Sequence, residues 1–124
     1  MTPKRRVVLV VDPDRRTCFL LAQLLGEEGY DVDTALDAEA AIRRLSCDPL
    51  PDVVVSALDP PNANGVSVGR FARSRDGSIP LIVVRSHPEH IRRVFGLVYP
   101  RPVVFAKPLD FVELVAELAR VARS

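Results

Sequence analysis

The feature of this sequence that most limits the possible folds is a regular alternation of short apolar runs with segments of helical periodicity. Five runs rich in Val, Leu and Ile are each followed by a stretch whose apolar residues recur every three or four positions. Such alternation predicts a parallel sheet covered by helices, because parallel strands need a crossover segment between them. The runs predicted as strands are Val7–Val11, Val32–Thr34, Val53–Ser56, Leu81–Val84 and Val103–Phe105.

The polarity of the runs indicates where each strand lies in the sheet. Most runs are continuously apolar, as expected of strands that helices bury on both faces. The second run is the exception, since Asp31 and Asp33 accompany its apolar residues, and we expect it at an edge. Right-handed crossovers then give a doubly wound α/β sheet, whose functional crevice lies at the carboxyl ends of the strands.

Helix-capping residues predict five helices, one after each strand. The capping signals are Asp14, Asp37, the Asn64–Gly65 turn, Ser86 with Glu89, and Asp110 with Glu113. Each capped segment carries apolar residues that we expect to face the sheet. In chain order these are Phe19, Leu20, Leu21, Leu24 and Leu25, then Ala40, Ala41, Ile42 and Leu45, then Val66, Val68, Phe71 and Ala72, then Ile91, Val94, Phe95 and Val98, and finally Val112, Val115 and Leu118.

Length and composition are those of one folded domain over residues 1–124. A chain of 124 residues, 48% apolar and 27% charged, is long enough for one core and too short for two. Seventeen basic and sixteen acidic residues give a net charge of +1, which provides no field to recruit nucleic acid or an anionic membrane. The apolar run Val7–Val11 is too short for a signal peptide or a membrane span, so we expect a cytoplasmic protein.

The two cysteines do not predict a metal or redox site. Cys18 and Cys47 are far apart and have no neighbouring metal-ligand residues, so they form neither a zinc knuckle nor a CxxC motif. We expect reduced thiols and no cofactor. No helix-turn-helix segment follows the fifth predicted helix, which argues against direct DNA binding.

Acidic and basic residues follow the predicted strands and should converge at one edge of the sheet. Asp12 and Asp14 follow the first strand, Asp59 lies shortly after the third, and Lys107 follows the fifth. Three carboxylates near one lysine resemble the oxygen-rich sites that Mg²⁺ prefers. Asp14 is also a strong helix N-cap, and we give that role the greater weight.

Several segments in order resemble the receiver domains of bacterial two-component response regulators, and the resemblance covers essentially the whole chain. The segments are Val8–Val11 with Asp12, Pro13 and Asp14; Gly29–Tyr30; Pro51–Val55; Ile79–Ile82; and Lys107–Pro108. The resemblance implies a flavodoxin-like (βα)5 fold, with a five-stranded parallel sheet of order 2-1-3-4-5. It also implies a cis bond before Pro108.

Under this resemblance, half of the phosphorylation site is missing. Asp12 matches the first acid of the metal-binding pair, but Pro13 stands at the second and has no ligating side chain. Ala57 matches the phosphoacceptor, and its methyl group can neither attack a phosphoryl donor nor hold a metal. Lys107 and Pro108 follow the family pattern.

The residues that transmit phosphorylation in the family are also replaced. Arg85 stands at the position of the switch hydroxyl, and Val104 at the aromatic switch of the fifth strand. A guanidinium suits bidentate pairing with carboxylates, so we expect Arg85 to pair with Asp12, Asp14 or Asp59 in place of a cation. Lys107 is expected to neutralise Asp12 and Asp59.

These replacements predict a pseudo-receiver, a phosphorylation-independent domain without catalytic residues that binds another signalling protein or a second copy of itself. The fourth helix, fifth strand and fifth helix form the expected contact face, with Arg92, Arg93, Tyr99 and Arg101 as its anchors. One alternative is an active receiver phosphorylated at Asp59. Another is a phosphatase of the haloacid-dehalogenase type, which Asp12–Pro13–Asp14 imitates, although Thr17 falls one place late and no second pair of carboxylates follows.

Overall fold

The five predicted strands form one parallel sheet in the computed structural model, which describes residues 5–57, 64–85, 100 and 102–121 and, for residues 64–66, the backbone alone. The strands lie in the order β2-β1-β3-β4-β5, which confirms the predicted flavodoxin-like topology. Their bounds are β1 (Val7–Val11), β2 (Asp31–Ala35), β3 (Val53–Ser56), β4 (Leu81–Arg85) and β5 (Val103–Ala106).

Four helices alternate with these strands in the described part of the chain. They are α1 (Arg15–Glu27), α2 (Ala38–Leu45), α3 (Asn64–Arg75) and α4 (Phe111–Val121). The helix predicted to begin at Ser86 lies outside the described residues. None of the described helices is long and apolar enough to span a membrane.

The predicted caps determine where three of the helices begin. Asp14 accepts a hydrogen bond from the backbone N–H of Arg16 at 3.0 Å, and Asp37 accepts one from Ala40 at 2.7 Å. Asp110 accepts one from the N–H of Glu113 at 3.2 Å. Each carboxylate thereby satisfies one of the N–H groups that a first helical turn leaves without a partner.

Helices cover both faces of the sheet, so the core consists of two layers. On one face, alternate strand residues pack against α2 and α3; this cluster comprises Leu9, Val11, Ala35, Ala41, Leu45, Val54, Val68, Ala72, Ile79 and Leu81. On the other face the intervening residues pack against α1 and α4; that cluster comprises Val8, Val10, Cys18, Leu21, Leu25, Val53, Val55, Ala57, Ile82, Val84, Leu114 and Leu118. The alternation follows from the two-residue period of a strand.

Three apolar residues that the helical patterns assign to the core are instead on the surface. Phe19 is 71% exposed, Leu20 is 54% exposed and Val112 is 77% exposed, so the predicted inward faces of these two helices were too broad. A helix presents one stripe to a sheet, and in α1 that stripe is filled by Cys18, Leu21 and Leu25.

The polar strand β2 lies at the edge of the sheet, as its composition predicts. Its exposed acids are held by arginines from neighbouring segments. Arg5 lies 3.3 Å from Asp31, and Arg44 lies 2.7 Å from Asp33. Charged side chains along an edge strand discourage another strand from pairing with its free backbone groups.

Removal of the cap at the start of α2 should destabilise the domain. We expect Asp37→Ala to lower the free energy of unfolding by about 1 kcal/mol, because the N–H of Ala40 loses its partner. Urea denaturation measures the change. The matched control is Glu39→Ala, which removes an exposed ion pair with Arg43 and should cost less than about 0.5 kcal/mol. Equal losses in the two variants would contradict the capping role.

Candidate functional site

The candidate site lies where β1, β3, β4 and β5 end, at one edge of the sheet. Parallel pairing places Val11 beside both Ala35 and Ser56, and Arg85 beside Ala106. The residues that follow these strands therefore meet. They surround a cavity of about 320 Å³, bordered by Asp12, Ala57 and Lys107 among others.

Asp12 is the buried charge of the site, with 2% of its surface exposed. Its backbone N–H donates to the carbonyl of Ala35 at 3.0 Å, which continues the β1–β2 ladder by one residue. One carboxylate oxygen accepts a hydrogen bond from the N–H of Asp14 at 2.8 Å, and the other lies 3.6 Å from the Nζ of Lys107. A carboxylate this deeply buried needs such partners, because burying an unpaired charge is costly.

Asp14 caps α1 and also borders the cavity. Its second carboxylate oxygen accepts a hydrogen bond from the hydroxyl of Thr17 at 2.9 Å. The Thr17 hydroxyl, followed by the backbone N–H of Arg16, holds the pKa of Asp14 below its usual value. Asp14 therefore stays ionised at neutral pH and presents a solvent-accessible negative charge at the rim of the cavity.

Ala57 follows β3 directly and is 6% exposed. Its N–H donates to the carbonyl of Val11 at 2.7 Å, so its backbone is fixed against the end of β1. Ala57 belongs to the core layer of α1 and α4, on the same side of the sheet as the cavity that it lines. A longer side chain at this position would extend from the methyl group into that cavity.

Arg85 was predicted to pair with Asp12, Asp14 or Asp59, of which Asp59 lies outside the described residues. The backbone carbonyl of Arg85 accepts a hydrogen bond from the N–H of Lys107 at 3.0 Å. However, within the described residues its side chain forms no ion pair with Asp12 or Asp14. Val84, not Arg85, belongs to the core layer that lines the cavity, which agrees with the absence of these two pairs. Lys107 provides the counter-charge of Asp12, one of the two carboxylates that it was expected to neutralise.

The sequence of the chain matches that of a known protein family over almost its whole length. The model of the response regulator receiver domain family matches residues 8–119. The chain belongs to this family. The receiver domain is 33% identical over 116 residues to the transcriptional regulatory protein PrrA of Mycobacterium leprae, covering 94% of this chain and 49% of that protein. It thus spans about half the length of that relative.

Solved structures show the same fold. A response regulator receiver protein from Sinorhizobium medicae has a TM-score of 0.83 at 20% identity, with 98% of this chain and 97% of that chain covered. The chemotaxis protein CheY4 of Vibrio cholerae has a TM-score of 0.80 at 23% identity, with 95% and 99% covered. At these identities the likeness concerns the fold alone.

The family implies a bound Mg²⁺, and the described residues of this receiver domain do not fit one. Mg²⁺ needs several oxygen ligands in near-octahedral arrangement. Pro13 has no donor atom, Ala57 carries a methyl group, and one oxygen of Asp12 already faces an ammonium group. Within residues 5–57, 64–85 and 102–121, no three His, Cys, Asp or Glu side chains are grouped to hold a metal ion.

The receiver domain site also contains a cis peptide bond and a buried thiol. The cis peptide bond between Lys107 and Pro108 is present, as the resemblance implied. Cys18, for which the sequence predicts no role, lies beneath the site and donates through Sγ to the carbonyl of Asp12 at 3.3 Å. Burial, followed by the charge of Asp12, raises the pKa of this thiol. Its place on the inward stripe with Leu21 and Leu25 was the signal available in the sequence.

Several predicted site residues cannot be compared with the structure. Asp59 and the anchors Arg92, Arg93, Tyr99 and Arg101 lie outside the described residues. Their predicted roles stay predictions. Of the predicted pocket, the structure brings Asp12, Asp14, Ala57 and Lys107 together around one cavity.

Loss of the Lys107 charge should destabilise this receiver domain through Asp12. We expect Lys107→Met to lower the free energy of unfolding by about 1–2 kcal/mol, less than for a fully buried pair because Lys107 is partly exposed. The loss should largely disappear in the Asp12→Asn background, which a urea-denaturation double-mutant cycle measures. As a control, Arg43→Met breaks an exposed pair and should cost about 0.3 kcal/mol. Additive effects of the two site substitutions would contradict the pairing.

Proposed function

We propose that this receiver domain is a phosphorylation-independent pseudo-receiver, a protein-interaction module of bacterial signal transduction. The observation that carries the proposal is the methyl group of Ala57 at the end of β3, facing the cavity beside Asp12 and Lys107. In the family pattern a carboxylate at this position receives the phosphoryl group. A methyl group has no lone pair for that attack.

The charges around the cavity support the proposal. In the described part of the site, Asp12 is paired with Lys107 and with the N–H of Asp14. The buried charge is thus compensated by residues of the chain itself. A site of this kind has no requirement for a metal ion to neutralise it.

The residues at the family's two switch positions also support a domain that works without phosphorylation. Val104, at the position of the aromatic switch, is a half-buried aliphatic residue on β5. Arg85, at the position of the switch hydroxyl, has no hydroxyl to donate to a phosphate. A rotamer switch needs a group with two discrete arrangements, and a short branched side chain is a poor candidate.

Phosphorylation is tested by incubating the domain with acetyl phosphate and Mg²⁺ and measuring intact mass and released phosphate. We expect an unchanged mass and no phosphate release above the buffer rate, because the nucleophile is absent. Asp59→Asn serves as the matched variant, and a standard receiver domain as the positive control. An adduct on the wild type that Asp59→Asn abolishes would replace the proposal with an active receiver. Repeated turnover would indicate a phosphatase.

The partner surface that we propose comprises β5, α4 and the segment of residues 86–101. Two described features support this choice. β5 is the edge strand of the sheet, opposite β2, and α4 exposes 77% of Val112 to solvent. An edge strand and an exposed aliphatic side chain are features that a protein contact can bury. The partner is another signalling protein or a second copy of this chain.

The partner surface is tested by charge reversal of its three predicted arginines. The variant Arg92→Glu, Arg93→Glu, Arg101→Glu should lose capture of partners from the native cell extract, or lose self-association in sedimentation experiments, by at least about tenfold. The matched control is Arg15→Glu with Arg16→Glu, which reverses an exposed doublet on α1 and should leave capture unchanged. If the triple variant behaved as the wild type, the proposed surface would be wrong.

A further inference from the structure

The cavity at the carboxyl ends of the strands is built as a small binding pocket. Its floor is formed by Val10, Val55 and Val84, which lie on three neighbouring strands and face the same layer. Leu21 of α1 and Leu109, between β5 and α4, form apolar parts of its wall. A mainly apolar lining with a few polar groups at one side is typical of small-molecule sites.

The cavity is also large enough to hold a ligand. Its volume is about 320 Å³, whereas an apolar protein cavity of about 150 Å³ suffices for benzene. Ala57 contributes to this space, because the methyl group leaves open the volume that a longer side chain would occupy. The location agrees with the general rule for open α/β sheets, in which ligands bind outside the carboxyl ends of the strands where the order reverses, here between β1 and β3.

The charged residues of the lining favour a cationic group at the rim. Two carboxylates, Asp12 and Asp14, and one ammonium group, Lys107, border the cavity. Asp12 and Lys107 compensate each other, whereas the solvent-accessible carboxylate of Asp14 forms no ion pair within the described residues. Each oxygen of Asp14 accepts one hydrogen bond, from Arg16 or Thr17, and a carboxylate oxygen can accept a second.

We propose that this pocket binds a small amphipathic amine, with an aromatic or branched aliphatic body against Val10, Val55 and Val84 and its ammonium group at Asp14. This inference goes beyond the proposed function, since such binding neither requires nor excludes a protein partner. It assigns a ligand to the cavity at the carboxyl ends of the strands, where Ala57 stands at the phosphoacceptor position. The apolar body provides most of the affinity, and the charge of Asp14 selects the head group.

Three probes with the same indole ring and different heads test the proposal: tryptamine, indole and indole-3-propionate. Each is titrated into the isotope-labelled chain while amide shifts are followed by NMR. Tryptamine should give saturable shifts centred on Ala57, Lys107 and Leu109, and should bind about threefold more tightly than indole, with indole-3-propionate weakest. Absence of saturable shifts at these residues with all three probes would overturn the proposal.

Two substitutions separate the body of the ligand from its head. Ala57→Leu fills the cavity and should weaken all three probes by at least about tenfold, while Ala119→Leu, the same change at an exposed position of α4, should have no effect. Asp14→Asn keeps a good helix cap and should reduce tryptamine to the affinity of indole. If Ala57→Leu does not fold by circular dichroism, the smaller Ala57→Val decides, with weaker binding expected. Unchanged binding in the folded cavity variant would refute the pocket.

Discussion

The structure depends on the burial of β1 between two neighbouring strands and under helices on both faces. Residues 8–11 of this strand are at most 1% exposed, and β1 pairs in parallel with both β2 and β3. Burial on both faces fixes the register, because a shift by one residue would exchange the residues of the two core layers. The end of β1 is thereby fixed, and Asp12 is held at 2% exposure at the carboxyl edge of the sheet.

Burial of Asp12 imposes a second requirement, which the rest of the site satisfies. A buried carboxylate needs a counter-charge and hydrogen-bond donors. Lys107, which follows β5, supplies the charge. The N–H of Asp14, which directly precedes α1, supplies a hydrogen-bond donor. The charge of Asp12 is therefore compensated without an added ion. This self-compensation is the physical basis for proposing a domain that works without phosphorylation.

The sequence predicted the sheet well and the inward helix faces less well. Continuous apolar runs identify strands buried on both faces, and Asp14, Asp37 and Asp110 act as caps because a carboxylate matches free N–H groups wherever it precedes a helix. Phe19 and Leu20 were assigned to the core and are exposed, because a run of large apolar residues does not reveal which of them faces the sheet. Burial in α1 is decided by tertiary packing. The pairing of Lys107 with Asp12 was predicted, because both residues follow strand ends and carry opposite charges, whereas the pairing of Arg85 with Asp12 or Asp14, two of its three expected partners, is not observed within the described residues.

The alternation of β4 agrees with this outcome, because Val84 rather than Arg85 belongs to the layer that holds the cavity. The apolar lining of the cavity was not predicted, since it depends on how the valines of three strands and the small Ala57 face one layer together. The most direct measurement of the central claim is an NMR titration of the domain with Mg²⁺ and beryllofluoride, which mimics a phosphoryl group on an aspartate. The account predicts that the amide resonances of Asp12, Ala57 and Lys107 do not move beyond the effect of added salt, because no carboxylate stands at the end of β3. Saturable shifts at these residues that require both Mg²⁺ and beryllofluoride would contradict it.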